Sequence, residues 1–281
     1  MAQAQHVEGR DRASIAREVE ARCATELELL RELIGLAEQL IDEGGRIAKH
    51  DTHAIALLHV ARAIKCLRAL EDLALGGLPD DALGPIRTAC ELTIDLAYIL
   101  AADSDARMEA YFAYEAVTNW KTAEPIAELH GTTGTDPYLP ILKQRFEAVQ
   151  ARFPQIHKGW AQRSLAKKAK AADAAHFKDA EYPPLQRMYA LAYHEGCTAI
   201  HAGAGGLRAA FESVPGGVTV RHGRHIAGVD RAITLSFLPL QLLLDLAAEQ
   251  LGLPEQQQQH IRGFLGRVQQ RLYPENDASL P

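Results

Sequence analysis

The feature that most constrains this chain is the stretch from Ile86 to Ala101, IRTACELTIDLAYILA. On a helical wheel at about 100° per residue, Arg87, Thr88, Glu91, Asp95 and Tyr98 fall within one arc about 100° wide. Every other position except Thr93 is apolar. A surface helix shows the reverse proportion, a narrow apolar stripe and a broad wet face. The pattern therefore predicts a helix wrapped by other helices on most sides, with Arg87, Glu91, Asp95 and Tyr98 lining the space left between them.

A second helix, Leu185 to Ala202, repeats the peculiarity. Arg187, His194 and His201 recur every seven residues on one line, with Thr198 beside it and Tyr193 and Cys197 on its other flank. Charged groups and imidazoles are unfavourable to bury unless each has a partner. The two seams are thus expected to face each other, Arg87 and Glu91 against Tyr193, Cys197 and His201, in one buried polar network. The plainer alternative is two separate solvated stripes, with Arg87–Glu91 an ordinary i,i+4 ion pair.

Apolar periodicity elsewhere predicts one all-α domain spanning 1–281, a multi-helix bundle with loose tails at 1–12 and 274–281. Helices are expected over Ser14–Glu43, Thr52–Leu75, Pro79 through the central stretch, Ser104 past Trp120, Tyr138–Phe153, Val229–Leu251 and Pro254–Leu272. The only β signal is VTVRHGRHI at 218–226, where Val218, Val220 and Ile226 alternate about a His222-Gly223 turn. Basic residues between Lys158 and Lys178 read as a solvated helix face, because acidic residues interrupt them and no aromatic interleaving suggests base stacking. The sequence leaves open whether this segment and the hairpin act together as a lid.

Composition narrows the function classes. The 281 residues are 47% apolar and 23% charged, with a net charge of −6. That is an ordinary globular balance, and it gives no whole-molecule attraction to nucleic acid or anionic membrane. The apolar run Ala232–Leu244 is too short to span a bilayer. No apolar signal segment opens the chain, and the four cysteines form no CxxC pair. A cytoplasmic protein with reduced thiols is expected.

No complete catalytic set emerges. His50-Asp51 lacks the upstream histidine of a metal-dependent HD phosphohydrolase, since the only earlier histidine is His6. No Glu-x-x-His occurs for a ferritin-like di-iron site, and no phosphate-cradling glycine motif is present. Neither a metal nor another cofactor is expected. Arginine followed by four to six residues and then histidine resembles the signature of metal-independent HEPN ribonucleases. Arg46/His53, Arg152/His157 and Arg187/His194 all fit it. Such spacings arise by chance in a chain with 12 histidines, and only Arg187/His194 lies well inside a helix.

The two polar helices also resemble a domain-of-unknown-function family found widely in bacteria. Its Arg-x-x-x-Glu helix running into Tyr-Ile-Leu is matched by Arg87, Glu91, Tyr98, Ile99 and Leu100. A downstream Trp and Ser are matched by Trp160 and Ser164, and Tyr-x-x-x-Ser-x-x-x-His by Tyr193, Cys197 and His201. The chain departs from the pattern at Cys197, where the family usually has serine. The resemblance covers about residues 50–250, implies an all-helical fold with Arg87, Glu91 and His201 as a set, and implies no activity.

Two function classes follow. The first is a non-catalytic interaction or ligand-sensing protein, with Arg87, Glu91, Asp95, Tyr98, Tyr193, Cys197 and His201 holding a small polar ligand or a protein partner. The second is a metal-independent ribonuclease or phosphodiesterase using Arg187, His194 and His201, the only case in which a nucleic-acid partner is expected. A homodimer is compatible with either class, though no heptad run fixes a partner surface.

Overall fold

The computed structural model describes residues 11–201, 211–214, 217–220 and 223–274 as an all-α bundle. In chain order come α1 (Arg12–Arg22), α2 (Ala24–Ile47), α3 (Asp51–Leu75), α4 (Pro79–Leu100), α5 (Ser104–His130) and α6 (Leu139–Val149). They are followed by α7 (Leu165–His176), α8 (Pro184–Met188), α9 (His194–Ile200), α10 (Val229–Leu251), α11 (Glu255–Arg262) and α12 (Phe264–Leu272). A π-helical turn, Tyr189–Tyr193, joins α8 to α9.

Helix α4 is enclosed as its apolar majority requires. It packs against α3, α5, α7, α9, α10 and the π turn. Ile86, Ala89, Cys90, Ile94, Leu96 and Ile99 are fully or almost fully buried. Burying each of the larger of these contributes about 1.5–3 kcal/mol. Thr93 is also buried, and its hydroxyl lies 2.9 Å from the Ala89 carbonyl and 2.8 Å from the Pro239 carbonyl of α10. Helices α2, α3 and α10 complete the centre, and one cluster of buried side chains runs from Ile15 to Val268. By length and composition α10, at 23 residues, could cross a membrane, but most of its apolar window is buried inside the bundle.

The distal half of α5 and α6 stand apart as a helical arm. Its own small core is Trp120, Ala127 and Leu139, backed by Ala123, Leu142 and Phe146. The Trp120 and Phe146 rings stack 6.0 Å apart.

Several sequence expectations need correction. The helix foreseen over Ser14–Glu43 is two, separated at Cys23 (φ −114°, ψ 31°). Arg12 opens α1 and is not part of a tail, because the Asp11 carboxylate accepts from the Ser14 amide at 2.9 Å. The last helix is likewise divided at Gly263. Residues 1–10, 202–210 and 275–281, covering most of the expected tails and the expected end of the second polar helix, lie outside the described residues.

The hairpin expected at 218–226 is not seen. Instead β1 (Phe211–Val214) pairs antiparallel with β2 (Gly217–Val220), with Phe211 opposite Val220 and Val214 opposite Gly217. The His225 amide donates to the Gly77 carbonyl at 2.9 Å, and the Arg224 guanidinium donates to the Gly76 carbonyl. The chain after β2 is thus held by the α3–α4 turn, where a returning strand was expected. Gly77 needs no side chain there: its φ is +68°, and a Cβ would sit 2.6 Å from Ile15 Cγ2. His222 lies outside the described residues.

Candidate functional site

The site starts from how closely α9 approaches α4. A Cβ on Gly196 would lie 2.7 Å from Arg87 Cβ and 2.8 Å from the Leu83 carbonyl oxygen. With Leu185, Met188 and Ala192, Gly196 forms the buried contact line of this segment. Contact at that line brings Arg87 and Glu91 alongside Tyr193 and Cys197. Arg87 and Glu91 pair at 3.2 Å, and the guanidinium carbon lies 5.4 Å from the Tyr193 ring centre. Burial opposes the Arg87 charge, but Glu91, Cys197 and Tyr193 outweigh it and hold the pKa above its ordinary value. The Tyr193 phenol is pushed up to about 12, by burial first and then by Cys197 and Glu91. Burial also pushes the Cys90 thiol up, so it is a packing group and not a nucleophile.

One turn further along α4, Asp95 belongs to a different group. It accepts from Trp160 Nε1 at 3.2 Å and forms an ion pair with Lys168 of α7. The Lys168 ammonium lies 5.2 Å from the Trp160 ring centre, and Tyr98 meets the same ring edge-on at 5.7 Å. Tyr98 itself is buried, with the Arg107 guanidinium 4.0 Å from its ring centre. The loop before α7 is fixed by local bonds. Tyr114 donates to the Ile156 carbonyl at 2.6 Å, and Gln162 bonds both the Gln155 amide and the Gly159 carbonyl.

Between α4, this loop, the start of α7 and Tyr193 lies an open cleft of about 970 Å³. Glu91 and Asp95 line one wall; Lys158, Arg163, Lys167 and Lys168 line the other, with Ser164 at the α7 N-cap. Both carboxylates are engaged, Glu91 by Arg87 and Asp95 by Lys168. Lys158, Arg163 and Lys167 are exposed and have no ion-pair partner among the described residues. In a chain whose net charge is −6, this is a local excess of positive charge.

Lys168 corrects the reading of 158–178 as a wholly solvated face. The buried Ala169 and Ala172 and the partly buried Leu165 lie on one side of it on the wheel, and their packing carries it inward. That spacing was visible in the sequence, whereas the Asp95 partner was not.

Arg187, His194 and His201 are all exposed and do not join the Arg87–Glu91 pair. The His194 ring instead packs edge-on against Tyr189, with centroids 4.8 Å apart. Two causes account for this correction. The face turned to α4 is filled by small and apolar side chains, so the polar line opposite stays in water, where it needs no partner. The π turn also advances less per residue than an α-helix, so a wheel drawn through Arg187 and His194 loses its phase. Among the described residues, no group of three or more His, Cys, Asp or Glu side chains is placed to hold a metal ion.

The three motif segments thus converge on one place: Glu91, Ser164 and Tyr193 line the cleft, while Trp160 backs it through Asp95. The family described as "Family of unknown function (DUF5677)" matches residues 53–217, more than half of the chain. The chain belongs to this family. The matched segment contains every residue of the cleft, while α2, α10, α11 and α12 lie outside it. None of the curated proteins and none of the solved structures matches the chain.

Proposed function

We propose that the protein is a non-catalytic binding or sensing protein that takes up a small anionic ligand in the cleft between α4 and α7. The observation that carries this reading is the contrast between engaged and free charges. Both carboxylates of the cleft already have cationic partners, whereas Lys158, Arg163 and Lys167 face the same space without one. The volume lies within the range of small-molecule sites, roughly 300–1,000 Å³. Arg163 suits a planar carboxylate or phosphate group, and the lysines add adaptable donors. Tyr193 supplies an aromatic edge for the rest of the ligand. The ribonuclease reading has no comparable support, because Arg187 and His194 are exposed and separated by the π turn.

Thermal unfolding in millimolar inorganic phosphate, succinate and adenosine monophosphate tests the proposal. A ligand present at 100 times its Kd stabilises the fold by about 2.7 kcal/mol. At least one probe is expected to raise Tm, and the Arg163→Ala/Lys167→Ala double variant is expected to lose that rise. No shift with any of the three, or a shift indifferent to the double variant, would overturn the reading.

A further inference from the structure

The arm made by α5 and α6 carries a second feature, independent of the cleft. Phe112 and Ile126 are exposed at about half their surface and lie fourteen residues apart, with Asn119 midway between them on one line of α5. Leu129 follows one turn later at 82% exposed. On α6, Ile141 is half-exposed, and Tyr138 just before the helix is 71% exposed. An open groove of about 300 Å³ runs along the junction of the two helices, between Phe112, Ala116 and Asn119 on α5 and Leu142, Arg145 and Val149 on α6. Helical spacing puts Ile126 on the groove side of α5, and Tyr138 and Ile141 on the groove side of α6. Phe112, Ile126, Tyr138 and Ile141 therefore form one face of the arm, with Leu129 at its edge.

We infer that this face is where two copies of the chain pair, arm against arm, about a twofold axis. A twofold interface must be complementary to itself: what one residue contributes, its counterpart must answer. The groove meets that demand. Glu115 stands on its α5 wall and Arg145 on its α6 wall, and neither has an ion-pair partner among the described residues. A second copy sets each Glu115 against the other copy's Arg145. Phe112 and Tyr138 alone offer roughly 240 Å² per chain, taking about 200 Å² for a whole aromatic side chain, and the exposed Ile126, Leu129 and Ile141 add to it. A standard interface takes about 800 Å² from each partner, so the groove walls need supply only the remainder. The arm's own core is small, and two hairpins packed together form a four-helix arrangement that buries what one hairpin leaves open.

Sedimentation velocity of the full chain at tens of micromolar reads the outcome. The wild type is expected to sediment as a dimer, and Ile126→Glu/Leu129→Glu as a monomer with unchanged far-UV circular dichroism. Both positions face solvent within one chain, so the fold tolerates the change. Arg145→Glu and Glu115→Arg are each expected to weaken the dimer at least tenfold, and the two together to restore it. A monomeric wild type would overturn the inference, as would a dimer that survives Ile126→Glu/Leu129→Glu. Single charge variants without effect would remove the twofold pairing on which it rests.

Discussion

Lys168 forms an ion pair with Asp95 from 73 residues away in sequence, and both side chains are less than one-fifth exposed. The pair joins α7 to α4, and both residues line the cleft. It also explains how a lysine in a basic segment comes to lie inside: its charge is met by Asp95 and its ammonium faces Trp160.

Removing one partner of a buried pair leaves the other charge uncompensated. Lys168→Ala is expected to cost about 3–5 kcal/mol of unfolding free energy by urea titration. Lys168→Met with Asp95→Leu should cost much less, because no orphan charge remains. Arg87→Ala should cost only about 1 kcal/mol, since Glu91 is 40% exposed and water solvates what is left. A loss at Arg87 as large as at Lys168 would contradict this assignment of the buried charges.

Gly196 and Gly84 lie on the same helix junction with opposite room. A methyl group on Gly196 meets Arg87 Cβ and a backbone oxygen below 3 Å, so Gly196→Ala must push α9 away from α4. The expected cost is about 1–3 kcal/mol, with Tyr193 displaced from the cleft. At Gly84 the nearest atom, Ile200 Cδ1, is 3.6 Å away. Gly84→Ala is expected to be neutral or to stabilise by up to about 1 kcal/mol. Thermal melts of the two variants side by side give the comparison, and equal melting temperatures would refute it.

Asp245 of α10 has its carboxyl pushed up to about 6, chiefly by burial, with Glu249 adding to the shift and Arg262 opposing it. An unfolded aspartate titrates near 3.9. Between these values the folded chain holds a proton that the unfolded chain has released. Stability from this group therefore falls as pH rises through about 4 to 6, and stays lower above that window. Asp245→Asn is expected to raise stability at pH 7.5 by about 1–3 kcal/mol and to bring little gain near pH 4. A gain of equal size at both pH values would rule out titration as its source.

Much of this arrangement was legible in the order of residues. The enclosure of α4 could be read because ten of its sixteen central side chains from Ile86 to Ala101 are apolar, and such a helix must be covered. The Arg87–Glu91 pair could be read from i,i+4 spacing, and Tyr193 and Cys197 from their place on one flank. The polar line through His194 and His201 was equally visible, but its direction was not: it faces water.

Which faces of each helix are apolar and where local pairs form is written in the order of residues, since periodicity and i,i+4 contacts depend only on helical geometry. Tertiary structure alone decided that Lys168 meets Asp95, that Gly196 brings α9 against α4, and that three cations are left free in one cleft. Those outcomes depend on which helix lies beside which, and on a π turn that rotates one helical face relative to the next. Contacts between distant segments are set by the packing of the whole core, so no local spacing records them.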